Sequence, residues 1–336
     1  MDSITHIALG GLLGEICFGK QLGKRAMVLG AISQTIPDFD VLSSLWLDTP
    51  GNLLTHRGLT HSFLFAALIS PVLAAIASWF SKKVDVKFWQ WLLFFLGQIV
   101  IHLLLDSLNA YGIGWLEPFS SRRFSFHTFF VADPLYSIWL IAALLALLTL
   151  PRASNDRVHW AFSGLILSTG YLIYALTNKY KIDRDVNRIL HQQQVSHIRY
   201  FTTPTPLNTW LWMVLAEQQN GYQIGYRSIF DRKDTIAFHY FPRNDSLISS
   251  FREREDIKLL IRFSQGYYTA EQRGDTVIFN DLRFGQRLGW DDPAAKFVFQ
   301  YYVTPPSENK FTVQRGRFAG WNSERAGTMF RRIRGN

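Results

Sequence analysis

The sequence predicts a mostly α-helical integral membrane domain of about four spans, with short re-entrant helices at its N-terminus, followed by a soluble α+β domain. Three observations predict it. Long apolar runs free of Asp, Glu, Lys and Arg recur between residues 63 and 177. Charged residues make up only 18% of the 336-residue chain, against about 25% in soluble proteins, while 27 Phe, 13 Tyr and 11 Trp supply the rings that anchor spans at membrane interfaces. Polar residues and strand-like patterns return from Lys179 onward.

Ser3 can cap a first helix that runs through Leu9, Leu13 and Ile16, with His6 in its first turn. Residues 26–36 give a second apolar helix, stopped by Pro37. Both are too short to cross ~30 Å of hydrocarbon comfortably and read as re-entrant or interfacial. The expected spans are residues 63–80, 88–105, 135–150 and 160–177, each near the lower edge of the ~17–25 residues a crossing needs. The linkers 81–87, with Lys82, Lys83 and Lys87, and 151–159, with Arg152 and Arg157, are short turns on one face. Residues 1–62, the segment 106–133 and everything after Asn178 then fall on the other face. That face carries Arg57, Arg122, Arg123, Lys179, Lys181, Arg184 and Arg188 near span ends, which leans it toward the cytoplasm under the positive-inside rule.

The organisation expected is a membrane domain over residues 1–177, a soluble α+β domain over 178–310 and a basic tail over 311–336. In the soluble part, residues 210–218 and 222–230 read as a hairpin closed by Asn220-Gly221 in a type I′ turn, and 235–241 as a third strand. Residues 246–263 have helical spacing through Leu247, Phe251, Ile257, Leu260 and Ile261. A second hairpin, 267–272 with 276–284, turns around Gly274, and 297–304 is a further strand. The tail holds Arg315, Arg317, Arg325, Arg331, Arg332 and Arg334 against Glu324. It reads either as a solvated, mobile end or as a contact with anionic lipid, worth about 1 kcal/mol per basic residue near a charged leaflet.

The formal net charge is +9. No helix-turn-helix or aromatic-basic RNA pattern accompanies it, so membrane lipid is the expected partner and nucleic acid is not. Cys17 is the only cysteine, which excludes an internal disulfide and a Cys-based zinc cluster. No cleavable signal peptide is expected, because the N-terminus lacks a basic region and His6 and Glu15 interrupt its apolar stretch.

The chemistry-bearing residues of the first half fall in five places that the topology brings to one face: Thr5-His6, Pro37-Asp38-Phe39-Asp40, His56-Arg57-Gly58-Leu59-Thr60-His61-Ser62, His102 with Asp106, and Asp133-Pro134. His102 and Asp106 are four apart on a helix and share one side of it. Asp38 and Asp40 follow a helix-breaking proline, where a loop can turn both inward. Gly58, between His56 and His61, permits a bend that aims both imidazoles at one point. Ionisable groups beside hydrocarbon cost several kcal/mol unless paired or ligated, and Arg57 is the nearest cation. A divalent ion, or two, would neutralise the carboxylates of Asp38, Asp40, Asp106 and Asp133 and accept the imidazoles of His6, His56, His61 and His102. Zinc is the first choice, manganese and iron the alternatives. An open position on such an ion activates water toward an ester or phosphoester. Asp38 or Asp40 could then act as general base and Arg57 could steady an anionic oxygen.

On these residues the chain resembles the YdjM-like family of bacterial inner-membrane proteins, described as membrane-bound metal-dependent hydrolases. The stretches that carry the resemblance are Met1-Asp2-Ser3-Ile4-Thr5-His6, Leu29-Gly30-Ala31 leading to Pro37-Asp38-Phe39-Asp40, His56 to Ser62, His102-Leu103-Leu104-Leu105-Asp106, and Pro118-Phe119-Ser120 ahead of Asp133-Pro134-Leu135. The resemblance implies a multi-pass inner-membrane protein whose polar site is His6, Asp38, Asp40, His56, His61, His102, Asp106 and Asp133. It leaves the substrate open. A slighter likeness, the HxxxD spacing of His102 and Asp106, is to the helical zinc-dependent phospholipase C and nuclease group, and tilts the expectation toward phosphoesters. Two non-enzymatic readings stand beside the hydrolase: an ion carrier, which would need a polar path across the spans, and an interaction protein with a closed structural metal.

Overall fold

The computed structural model describes residues 1–303 and 321–335. Packing divides the chain into two units. The first comprises Met1–Leu45, Thr55–Phe126 and Val131–Tyr174; the second comprises Trp46–Leu54, His127–Phe130 and Ala175–Asn336.

The first unit is helical. Helix α1 (Ser3–Leu22) is capped by Asp2, one residue earlier than expected, whose carboxylate accepts from the Thr5 amide at 3.0 Å. At 20 residues it is longer than the reading through Ile16, because Phe18 and Gly19 are still buried. It packs antiparallel against α2 (Lys24–Thr35). Glycines allow the approach: a side chain on Gly30 would meet the Gly10 carbonyl, and one on Gly14 would meet the Ala26 carbonyl. Pro37 ends this hairpin and opens a 3-10 segment, Pro37–Leu45. After a short helix α3 (Thr49–Thr55), which belongs to the second unit as far as Leu54, a 3-10 turn, Leu59–His61, leads into α4 (Phe63–Phe80) and α5 (Phe88–Asp106). Ala74 and Ala77 of α4 and Trp91, Phe94 and Phe95 of α5 bury one another with Phe18 and Ala26. Helix α6 (Pro134–Thr149) begins at an Asp133 cap, and α7 (Asp156–Gln192) runs for 37 residues.

Three described helices are long and apolar enough to cross a membrane: α4, α5 and α7. The fourth expected span is α6, which has only 16 residues and so rises about 24 Å, short of the ~30 Å hydrocarbon layer. Helix α7 contains the span expected over residues 160–177 and runs on past it. Its continuation is amphipathic, with Ile182, Val186, Ile189 and Leu190 buried at helical spacing.

The second unit has two antiparallel sheets. The first, in the order β1-β2-β3-β4, comprises Arg199–Pro204, Leu211–Gln218, Gly221–Ser228 and His239–Pro242. The second, in the order β5-β6-β7, comprises Tyr268–Arg273, Thr276–Gln286 and Phe297–Tyr302. Strand β2 is buried on both faces. Trp212, Val214 and Ala216 pack on Ile182, Val186 and Ile189 of α7, while Met213 and Leu215 pack toward Leu282 and Phe297 of the other sheet.

The β2–β3 hairpin differs from expectation. Gly221 already pairs with Gln218, so the loop is Gln219-Asn220, and neither these residues nor Gly221 takes a positive φ; the turn is not type I′. Glycine is required at 221 for another reason: a side chain there would strike the Phe241 carbonyl of β4. Strand β1 went unread, and the helix expected over residues 246–263 is confined to α8 (Glu255–Phe263), preceded by 3-10 turns at Asp245–Leu247 and Ser249–Phe251.

The tail is also not a free end throughout. Phe311, Arg315 and Arg317 lie outside the described residues. Ser323–Ile333, however, forms α9, with Met329 and Ile333 buried against Leu211, Leu288 and Trp290 and Arg332 paired to Asp231 at 2.6 Å.

Candidate metal centre

Pro37 is the pivot of the site. It ends α2 so that Asp38 and Asp40, two apart on a tight 3-10 turn, leave the backbone in different directions. Asp38 lies against His61 Nε2 at 3.5 Å and His102 Nε2 at 3.7 Å. Asp40 stands on the opposite side of the His61 ring, with Oδ2 3.1 Å from Nδ1. Its Oδ1 is 2.8 Å from His56 Nδ1, and its Oδ2 also accepts from the Arg57 amide and the Thr60 hydroxyl. Burial alone would raise the Asp40 carboxyl, but the hydrogen bonds from His56 and His61 outweigh it and hold it well below the usual carboxylate range. The bend that aims His61 inward runs through Arg57, which takes φ 62, and Gly58, whose φ −90 with ψ −123 lies outside the main regions open to other residues.

Helix α5 supplies the other half. His102 and Asp106 share a face, as the spacing of four requires, and both are fully buried. His102 Nδ1 donates to the Gln34 carbonyl at 2.7 Å. That bond assigns the proton to Nδ1 and leaves the Nε2 lone pair facing the cluster. His102 Nε2 stands 3.1 Å from His61 Nε2 and 3.7 Å from Asp106 Oδ2, and His61 Nε2 stands 3.6 Å from the same oxygen. The ligand atoms of Asp38, His61, His102 and Asp106 all lie within 4.8 Å of one another.

These distances fit a cation. Four tetrahedral ligands at about 2.0–2.2 Å from an ion stand about 3.3–3.6 Å apart, close to the spacing of 3.1–3.7 Å just described. Asp106 Oδ2 is buried and accepts no hydrogen bond among the described residues, although Arg57 Nε stands 3.1 Å away. Arg57 thus already places a cation against that oxygen, and the case for a metal rests on the spacing of the four ligand atoms. The cluster is therefore consistent with a divalent metal, whose identity the donor set of two imidazoles and two carboxylates leaves open. Burial would raise the Asp38 carboxyl too, but a hydrogen bond from His61 and the charges of His102 and His61 hold it at about 2, so it is ionised and ready to ligate.

The remaining expected residues lie around or away from this group. His6, fully buried, stacks on His102 with ring centroids 3.9 Å apart and sits 3.3 Å from Asp106 Oδ1, the oxygen that also meets the Met1 amino group. Arg57 is buried as a bracket, donating to Asn109 at 2.7 Å and lying over Tyr111. His56 lies beyond Asp40, with its side chain 31% exposed. Asp133 is not brought to the group: it caps α6 through the Leu135 amide at 3.0 Å and accepts from the Tyr171 hydroxyl at 3.0 Å. Burial pushes its carboxyl up to about 6, against those two hydrogen bonds and a third from the Tyr136 amide. Gln34 went unread. A glutamine at the end of an otherwise apolar helix was its only signal, and it serves twice, through its carbonyl to His102 and its side chain to His6 at 3.2 Å.

A second buried charge pair lies elsewhere in the unit. Arg157 and Glu15 meet through two hydrogen bonds of 2.7 Å, and Arg157 also donates to the carbonyls of Leu147 and Leu150 at the end of α6. Arg157 is thus no loop charge, and Glu15 is satisfied within the bundle.

A family described as YdjM inner membrane protein matches residues 1–182. The chain is 36% identical over 125 residues to "Inner membrane protein YbcI" of Escherichia coli (strain K12), covering 36% of this chain and 69% of that one. It is 24% identical over 298 residues to "Uncharacterized protein YfhP" of Bacillus subtilis (strain 168), covering 84% and 87% of the two chains. The second similarity is longer than the family match and so takes in part of the second unit. No solved structure matches the chain.

Proposed function

The chain belongs to the YdjM family of inner membrane proteins, and from that premise we propose that it is a membrane-bound, metal-dependent hydrolase acting on an ester or phosphoester, lipid-linked ones included. One observation carries the reading. Of the grouped side chains, His61, His102 and Asp106 are sealed from solvent, whereas Asp38 is 19% exposed, so solvent reaches the group at Asp38. A divalent ion there, zinc first and manganese or iron as alternatives, would supply Lewis acidity and lower the pKa of water at its open position.

The chain's own residues do the rest. Gln34 and Asp40 fix the tautomers and ring directions of His102 and His61 from behind. With His61, His102 and Asp106 as the three ligands, the fourth position is left to water and Asp38, the accessible member of the group, is free to take its proton. Arg57 holds Asp106 in place, and a substrate oxygen would have to displace its bond to Asn109 to reach it. In this reading α6 makes a fourth crossing and the centre faces the cytoplasm.

Full burial of His61, His102 and Asp106 also favours a second reading, a structural ion without turnover. Elemental analysis of the purified protein, followed by a hydrolase panel that includes phospholipids, separates them. Bound metal with turnover that is lost in His102→Ala supports the hydrolase. Metal without turnover supports the structural ion. Metal content unchanged in a His102→Ala/Asp106→Ala double variant refutes both.

A further inference from the structure

Asp38, the accessible member of the candidate metal centre, is bordered by apolar side chains. The 3-10 segment that presents Asp38 exposes Phe39, Val41, Leu42 and Leu45, each more than half accessible. It packs beside the 3-10 turn Leu59–His61, where Leu59 is exposed next to the buried His61. The turn ending in Phe119, the most exposed large hydrophobic residue of the described structure, is hydrogen-bonded to the same place: Gly114 donates to the Arg57 carbonyl at 2.9 Å and Phe63 to the Trp115 carbonyl at 3.0 Å. Such a patch on irregular backbone marks an interaction surface.

We propose that this lip dips into the bilayer interface and is the entry for a membrane amphiphile, whose chains lie on Phe39, Leu42 and Phe119 while its ester or phosphoester head reaches Asp38. Three features select lipid as the occupant. The lip is continuous with the apolar outer faces of the spans, through Phe63 at the start of α4 and Leu104 near the end of α5, both exposed. Its backbone is internally bonded, as in Phe39 to the Ile36 carbonyl at 3.2 Å, so it can enter an interface without stranding polar groups. Arg122, exposed beyond Phe119 and 5.1 Å above the Phe124 ring, places a cation where lipid headgroups lie.

The substrate class rests on the hydrolase reading above; the membrane contact does not. Two measurements keep them apart. In a Cys17→Ser background, cysteines placed by Leu42→Cys and Phe119→Cys are labelled with nitrobenzoxadiazole and the full chain is reconstituted in phosphatidylglycerol vesicles. Quenching by brominated lipid, with protection from aqueous iodide, is expected at both positions; iodide quenching without lipid quenching overturns the lip. In Leu42→Ser/Phe119→Ser, hydrolysis of vesicle phosphatidylglycerol should fall at least tenfold while metal content and hydrolysis of soluble bis(p-nitrophenyl) phosphate hold. Equal losses on both substrates, or none, overturn the entry route. If the unaltered protein hydrolyses neither, the hydrolase reading fails and the labels still decide the membrane contact.

Discussion

His61 and His102 face each other through their Nε2 atoms at 3.1 Å, in rings with no solvent exposure. Each ring is oriented from its far side, His102 by the Gln34 carbonyl and His61 by Asp40. Asp38 and Asp106, at 3.5–3.7 Å, stand around the pair, so the four side chains form a cage that a divalent ion would fit.

The Asp40 carboxylate stands outside this cage and acts on it through His61 and through the Arg57 amide it holds. Asp40→Asn should therefore weaken metal affinity about 10–100-fold without abolishing binding, whereas His61→Ala should leave little bound metal. Competition with a chelator of known affinity reads both. Equal losses in the two variants would place Asp40 among the ligands.

Asp133 gives a contrasting expectation. Its carboxyl is raised from 3.8 to about 6, a charging cost on the order of 3 kcal/mol. The folded chain holds this proton more tightly than the unfolded chain, so the contribution to stability falls as pH rises from about 4 to about 6 and stays low above. Asp133→Asn keeps a capping side chain and removes the charge. It should leave metal content unchanged and raise the melting temperature at pH 7.5, with the gain vanishing near pH 4. Loss of metal in this variant would bring Asp133 back into the centre.

The Glu15–Arg157 pair is nearly sealed, with side chains 3% and 2% exposed. Removing one partner leaves a buried unpaired charge, at a cost of about 3–5 kcal/mol. Arg157→Ala and Glu15→Ala should each lower the yield of monodisperse protein in detergent. Glu15→Leu/Arg157→Leu should recover much of it, and a double variant no better than the single ones would show that the bonds from Arg157 to Leu147 and Leu150 dominate.

The number of crossings turns on α6. If it crosses, reporters fused within residues 81–87 and after Asn178 fall on opposite sides of the membrane. If it does not, α4, α5 and α7 leave the two on the same side. Opposite sides are expected.

Much of this protein is local and was open to reading from the chain. The uncharged runs locate α4, α5 and α6 because hydrocarbon selects composition over a fixed length. The spacing of four puts His102 and Asp106 on one side of α5 because helix geometry is periodic. Pro37 and the residues around Arg57 mark the bends that bring Asp38 and His61 to them. Tertiary packing decided which acids and imidazoles converge. Asp38 and Asp40 are near neighbours in sequence, yet one faces the cation cage and the other stands behind His61. Asp133, with the same composition signal, caps a helix. The Gln34 carbonyl and the Glu15–Arg157 pair are contacts between helices far apart in sequence. A residue pattern records which face of an element is apolar; where a single carboxylate oxygen points depends on the neighbours that compete for it, and those are set only when the helices pack.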